Sequence, residues 1–461
     1  MATAFLAPNA HYGALRALNY TPEVEALRSK LGASRPLGKL ISSMGPAYGA
    51  VFTRIDCEPE SGVELVSQSD MFAAEPQGRV IRMDSMARPE RHRIQRWQVL
   101  IAGAGTLGEN ELYGRSIIAD GRLENRYVGP HAMTLTFVDP GNNTNLFAYA
   151  FLCSKIGIRA LRSVSYGTKI LGIRKDLLAE LPIPLVEKEV EARVASLIRR
   201  CVEQRETYLR ELQTARRLIE ELPAMRAAHA MCAERKARTA VWKDKLETLC
   251  AWNYASTGDA LSFLLRTWSR RLGDVVAPDK VFRGGRYQRV DCQSPHGVEL
   301  MSQRDVFCIR PTPRRIKLPK GPRDMFFVPE YSLLVGGQGT LGEGELFGQA
   351  VFVTPDMAQS AISEHLLRIQ PAKREDAAIL AALLGTVVGL RLVRSCAVGT
   401  KLLGIRSDLL LKLPLPELSP SSVAEILKAT ERASIARVAA AAAELKAIRI
   451  IEDEVLPSWL A

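Results

Sequence analysis

At 461 residues the chain has room for about three domains, and its 47% hydrophobic content supplies real cores, which excludes a disordered polymer. A net charge of +12, from 62 Lys and Arg against 50 Asp and Glu, favours a polyanionic partner and says nothing about fold. The 8 cysteines form no Cys-x-x-Cys pair and no Cys/His cluster, and no apolar run approaches the roughly 20 residues of a membrane span. These features exclude structural zinc and a spanning helix, and they fit a reducing cytoplasm.

In chain order, residues 1–34 read as a helical lead-in with no basic n-region before Phe5-Leu6-Ala7-Pro8, so no signal peptide is expected. A first globular module runs over 35–185 and ends in Leu181-Pro182-Ile183-Pro184, an extended exit that forbids helix. Within it, Val99–Ala102 and Ser116–Ala119 read as strands and Leu146–Ile156 as helix. A helical spacer follows over 186–269. Val190, Val194, Leu197, Cys201, Tyr208, Leu212, Ala215, Ile219 and Leu222 alternate spacings of four and three, a heptad seam interrupted by Arg205. Such a helix is about 50 Å long, and Pro223 breaks or kinks it. A second module, 270–417, has strands at Leu333–Gly336 and Ala350–Val353, a helix at Ala377–Leu384, and ends in Leu413-Pro414-Leu415-Pro416. The tail, 418–461, is helical, with a run from Ala439 to Ala443 whose small side chains admit a close partner. Its apolar positions are Val423, Leu427, Val438, Leu445, Ile448 and Val455. The two long helices are expected to pair antiparallel, with Val194, Leu197, Leu212 and Ile219 against Leu427, Val438, Leu445 and Ile448.

The modules are copies. Arg54-Ile55-Asp56-Cys57 recurs as Arg289-Val290-Asp291-Cys292, an offset of 235 residues, and Arg174 recurs as Arg406, an offset of 232. Between these lie Gly62-Val63-Glu64-Leu65 and Gly297-Val298-Glu299-Leu300, and the longer blocks Gly167-Thr168-Lys169 to Arg174 and Gly399-Thr400-Lys401 to Arg406. This is a tandem duplication of a domain of about 150 residues, not a solenoid. Cys57 and Cys292 share a position and read as small buried residues. His131 and His365 also align, without acidic or Cys partners, and read as core hydrogen-bonding residues.

Gly103-Ala104-Gly105-Thr106-Leu107-Gly108 and Gly337-Gln338-Gly339-Thr340-Leu341-Gly342 each spell G-x-G-x-x-G after a strand. A dinucleotide site would need a helix next. Here a strand follows within about eight residues, so Gly105, Gly108, Gly339 and Gly342 read as loop glycines between strands. The loop either lies against a phosphate backbone or simply turns. The same two readings hold for Lys169 and Lys401 after their Gly-Thr pairs.

Ahead of these loops stand basic segments at matching places with different residues. Module one has Arg79, Arg82, Arg88, Arg91, Arg93 and Arg96; module two has Arg314, Arg315, Lys317, Lys320 and Arg323. Arginine forks onto guanine O6/N7 or binds phosphate. Gln77, Ser85, His92, Gln95 and Gln98 add base-edge chemistry. A common scaffold with two different reading surfaces would produce this pattern. No Walker A loop, His-Glu-x-x-His, G-x-S-x-G elbow or amino-methylation motif is present, so neither a catalytic constellation nor a cofactor is expected.

The doubled order of strand, Gly-Thr-Leu-Gly, strand, His131 or His365, helix, Gly-Thr-Lys, Asp-Leu-Leu (Asp176–Leu178; Asp408–Leu410), Leu-Pro-x-Pro and long helix resembles the specificity subunit of type I restriction–modification enzymes. The resemblance implies an α+β chain: two homologous target-recognition modules joined by long antiparallel coiled-coil-like helices. It implies a non-catalytic protein that reads a split site in double-stranded DNA and holds two methyltransferase subunits, which a restriction and translocase subunit can join. Where the family often has Pro-x-x-Glu-Gln after Leu-Pro-x-Pro, this chain has Leu185-Val186-Glu187-Lys188-Glu189 and Glu417-Leu418-Ser419-Pro420-Ser421. That departure admits another methylation-linked phage-defence complex. A nucleotide-cofactor enzyme using the glycine loops is the reading from a different class.

Overall fold

The computed structural model describes residues 32–460 except 48–51, 87, 109–110, 234–255, 293–294, 319 and 343. The expected lead-in, apart from its last residues, and the middle of the spacer lie outside these. The chain divides into two compact units. Unit one holds the described residues up to Glu206 together with those from Ala439 onward, and unit two is Thr207–Val438.

Unit one contains module one. Val99–Ala102 is buried at every residue, as a central strand must be, and lies in an antiparallel sheet of four. The order is Ile41–Met44, Ala132–Phe137, Val99–Ala102, Ser116–Ile118. A second sheet pairs Val63–Val66 antiparallel with Arg79–Ile81 and parallel with Tyr127–Val128. A third, small sheet joins Ser165–Tyr166, Leu171–Ile173 and Ala104–Gly105. The helix Asn143–Cys153 is buried from Asn145 onward, so it runs through the core rather than over it. Ser154 ends that helix and caps the next, Lys155–Ser163, by accepting from the Gly157 N–H at 3.0 Å. The Leu-Pro-x-Pro exit is a strand: Pro182–Pro184 pairs with Ser34–Pro36, so the module's two ends close on each other.

Unit two repeats this plan. Its four-stranded sheet runs Val281–Arg283, Leu366–Ile369, Leu333–Gly336, Ala350–Phe352. Val298–Met301 pairs with Arg314–Ile316 and Ala361–Ile362, and Leu403–Ile405 with Gln338–Gly339 and Ala397–Val398. Two further helices, Pro223–Ala233 and Ser256–Thr267, pack on each other and send Met225, Ala228, Ala260 and Leu264 into the core with Val388 and Leu392. Among the described residues no single helix is long and apolar enough to cross a membrane. The most apolar pair, Arg374–Leu384 and Val387–Ser395, forms part of this unit's core.

The first long helix is Lys188–Glu220, and the expected break comes at Pro223, the first residue of the next helix. The second is Pro420–Arg449, which runs on through a π-helical turn, Ile450–Val455, to Leu456–Trp459. Each unit takes part of both. In unit one Arg193 pairs with Glu454 at 2.9 Å and Arg205 with Glu444 at 2.8 Å, so partner numbers fall as residue numbers rise and the helices are antiparallel. In unit two Tyr208 lies under Arg437, while Ala215 and Ile219 share a core with Ile426 and Ala429, again antiparallel.

The seam differs in detail from expectation. On the first helix Val194, Ile198, Cys201, Arg205, Tyr208, Ala215 and Ile219 are buried, whereas Leu197 and Leu212 are half-buried. On the second the heptad is alanine: Ala429, Ala433, Ala436, Ala440, Ala443 and Ala447 are buried between Ile426 and Ile450. Leu427, Val438 and Ile448 only flank it, and Leu445 is 49% exposed. Small side chains set the helix backbones close, which leaves the larger ones at the margin rather than between them.

Arg205 is not an interruption but a centre. Its Nη2 donates to Glu444 Oε2, whose other oxygen accepts from the Tyr149 hydroxyl. Its Nη1 stands 4.0 Å from Asp120, which is itself held by the buried Arg122 at 2.8 Å. Two cations thus face two carboxylates with side chains at most 1% exposed. Burial pushes the adjacent Cys201 thiol up to about 12, so it is a neutral packing group. Replacing Glu444 by Gln would strand a buried guanidinium. It should cost about 3–5 kcal/mol, read as a lower urea midpoint of the full chain. The double replacement Arg205→Met with Glu444→Leu should recover most of that loss; a double variant no better than the single would show that the charges are not the reason for the cost.

Candidate nucleic-acid interface

The glycine loops are held by side chains of their own modules. In module one the Gln68 amide clamps the Ala104 backbone, donating to its carbonyl at 2.5 Å and accepting from its N–H at 3.4 Å. In module two Gln303 does the same to Gln338, at 2.9 and 3.4 Å. Arg162 donates to the carbonyls of Tyr113 and Glu111, and Arg394 to those of Phe347 and Glu345. Gly114 and Gly348 have φ of +76° and +82°, and a Cβ at either would press within 2.9 Å of the Arg162 or Arg394 stem. Beyond the loop the chain enters Ser116–Ile118 or Ala350–Phe352, both strands. Among the described residues no helix starts there, so the pyrophosphate geometry of a dinucleotide site is missing. The loop is instead pinned to its own module.

The second sheet and the turns after it carry the cations. Arg79 sits on the strand Arg79–Ile81 and Arg82 just beyond it. Arg79 donates through Nε and Nη2 to Asp56, and Arg82 likewise to Asp84; these bonds hold both guanidinium pKa values above the ordinary one. Arg88 precedes and Arg91 ends the turn Pro89–Arg91, both exposed, their side chains making no hydrogen bond or ion pair among the described residues. Arg93 is exposed and reaches Asn125 at 2.7 Å. Arg96 is set apart: it is half-buried, paired with Glu206 of the first long helix and stacked 5.1 Å over Trp97.

In module two Arg314 pairs with Asp291 at 2.7 Å, the counterpart of Arg79 with Asp56. Arg315 spans the Gly297 carbonyl and Glu299. Lys317 and Lys320 are exposed, and their side chains have no partner among the described residues. Arg323 is exposed and stacks 4.3 Å over Phe327. Lys169 and Lys401 sit at the tips of the small-sheet hairpins, beside the exposed Ile170 (62%) and Leu402 (61%). Gly167 and Gly399 make those turns at φ of +95° and +111°.

Several expectations need correction. His92 and Gln98 are buried and committed, to the Val128 carbonyl and to Thr136, so neither offers base-edge chemistry. His131 is exposed and His365, beside Gln338 and Glu364, is half-buried, so neither is a core residue. Cys57 and Cys292 are only half-buried. Sequence reasoning passed over Lys175, half-buried, whose pKa falls through burial and then through the nearby Arg91. It also passed over Asp56 and Asp291 as arginine partners, although they lie in a block that recurs in both copies.

No protein-family model matches the chain, and a search of curated proteins returns no match. Among solved structures it is similar to the S subunit of a type I restriction–modification system from M. genitalium, at 14% identity over 94% of this chain and 96% of that one, with a TM-score of 0.31. It is similar also to an HsdS subunit from Thermoanaerobacter tengcongensis, at 14% identity over 92% and 95%, with a TM-score of 0.26. A chain from a type I restriction–modification assembly gives 15% identity over 94% and 98%, with a TM-score of 0.27.

Since the loop's polar groups are engaged by Gln68, Gln303, Arg162 and Arg394, calorimetric titration with NAD or S-adenosylmethionine should show no saturable heat. Stoichiometric binding of either would mean the glycine loops are ligand sites after all.

Proposed function

We propose that the chain is a DNA-specificity subunit. It recognises a bipartite duplex site and positions methyltransferase subunits over it, one for each half, in a type I-like restriction–modification system or a related methylation-linked defence complex. The chain supplies recognition and its partners supply the chemistry, with a nuclease and translocase subunit able to join.

One observation carries this reading. A single scaffold occurs twice with its loop clamps, braces and one sheet-edge ion pair shared, while most of its cationic surface changes. The Gln68 and Gln303 clamps, the Arg162 and Arg394 braces and the pairs Arg79–Asp56 and Arg314–Asp291 are shared. Arg82 has Lys317 at its equivalent position. The bond from Val128 N–H to the His92 carbonyl matches that from Ile362 N–H to the Phe326 carbonyl, so Arg91 and Arg93 correspond to Met325 and Phe327. Duplicated interiors with diverged exteriors suit one task performed on two different sequences. The exposed cations Arg88, Arg91, Lys169, Lys317, Lys320, Arg323 and Lys401 suit a polyanion.

The expected site is two half-sites separated by about one to two helical turns, given a first long helix of 33 residues and about 50 Å. Selection of the full chain from a random duplex pool should return such a gapped site. A single contiguous site, or none, would refute the two-reader model. Charge reversal at Arg91 and Arg93 should damage one half-site only, and at Arg314 and Arg315 the other. Equal damage to both halves from either variant would show that the modules do not read independently.

A further inference from the structure

We propose that Arg79 and Arg314 are the matched guanine readers of the two modules, and that each half-site therefore holds a guanine at the same place relative to its module. This rests on the DNA-recognition reading above and goes further, since it separates the cations that read bases from those that hold the backbone.

A guanidinium has five N–H donors. Arg79 spends Nε and one hydrogen of Nη2 on Asp56, the Nη2 bond being 2.6 Å. Arg314 does the same with Asp291, its Nε at 3.1 Å and its Nη2 at 2.7 and 2.8 Å from the two oxygens. Both bonds lie along one side of the group. The far edge, Nη1 with the outer hydrogen of Nη2, stays open, and the side chains are 53% and 43% exposed. That edge is a fork of parallel donors held in a fixed plane. In the major groove, guanine presents two adjacent acceptors, O6 and N7, to meet it. Adenine offers N7 beside a donor, thymine a single acceptor and cytosine a donor.

The carboxylate also argues against a phosphate contact. Backbone binding gains from the release of counterions by net positive charge. An arginine already neutralised by aspartate brings almost none, and the carboxylate repels a phosphate. Directional donors keep their value to a neutral base edge. Phosphates are better met by Arg88, Arg91, Lys169, Lys317, Lys320 and Lys401, which have no acidic partner among the described residues.

The same side-on pair recurs in both copies at Arg174 with Asp176 and Arg406 with Asp408, but there the acid stands only two residues away and outside the second sheet. Arg315 uses Nη1 on a carbonyl and Nη2 on Glu299, so its outer edge is occupied. Arg82 pairs side-on with Asp84, two residues away, but Lys317 replaces it in the other copy. Arg79 and Arg314 instead reach back 23 residues to a neighbouring segment that bridges to Ile81 or Ile316, the last residue of the same strand. The buttress is thus part of the sheet.

The test is competition binding of the full chain to its selected duplex and to every single-base variant of it, at several salt concentrations, for wild type, Arg79→Ala, Arg79→Lys and Arg314→Ala. Arg79→Ala should abolish a guanine preference of about ten- to a hundredfold at one position of one half-site, while leaving the salt slope unchanged. Arg314→Ala should do the same in the other half-site. Arg79→Lys keeps the charge but not the fork, so it should lose the preference just as fully; retained folding is read from an unchanged melting curve. A Lys317→Ala control should weaken all sequences alike and reduce the slope by about one. Uniform weakening by Arg79→Ala with a shallower slope would mean a phosphate contact and overturn the proposal. A gapped site lacking the shared guanine would overturn it too, with the recognition reading intact. No sequence selection by the wild-type chain would remove both.

Discussion

A guanidinium buried between two helices needs acceptors for its donors, and Arg205 finds a carboxylate, Glu444, 239 residues further along the chain. Much of unit one depends on that contact. It fixes the register of the first long helix against the last part of the second, with Cys201, Ala440 and Ala443 filling the same seam. It also ties the pair to the module through the Tyr149 hydroxyl and through Asp120 with Arg122. A seam of alanine alone would tolerate sliding by a heptad, since each step offers the same small side chain. A single buried charge pair does not, because a slipped register leaves both charges unpaired. Nearby, Trp459 packs edge-on against Phe151 at 5.6 Å, in the core that also holds Leu37.

The duplication extends through the helices but not through their charges. The offset that maps Arg174 onto Arg406 also maps Arg205 onto Arg437 and Leu212 onto Glu444. In unit two Arg437 is met by the carbonyls of Val306 and Cys308, at 2.7 and 3.0 Å, and lies over Tyr208. The ancestral position therefore holds an arginine twice, satisfied once by an acid and once by backbone. The modules show the same economy. The loop clamps and braces are copied, while other buried positions change, Thr134 having Arg368 at its equivalent place.

Much of this was legible in the sequence because repetition acts as an internal control. Recurrence located the strands on either side of the glycine loops, and heptad spacing located the first long helix. What stayed hidden was a matter of orientation. The run from Ala439 to Ala443 read as admitting a close partner, but larger side chains weigh more in a hydrophobic pattern, so Leu445 looked like seam, whereas close helix contact selects the smaller residue. Arg205 read as a flaw because no acid stands three or four residues from it along the helix; Glu444 is distant in sequence. His92 and Gln98 have the chemistry of base readers, but their neighbours Ile94 and Val99 are core, and the backbone turns these polar groups inward with them. Arg96 shares its type with Arg93 three residues away, yet only the fold reveals that one faces Glu206 and the other Asn125.

The central claim is that two copies of one scaffold read two separate DNA sequences and direct methylation there. Methylome sequencing of the source organism, with and without this gene, tests it most directly. The account predicts that deletion removes methylation from one gapped motif with two specific halves, and that restoring the gene with the Arg314 and Arg315 charges reversed fails to restore it. A methylome unchanged by deletion, or loss confined to a contiguous motif, would contradict it.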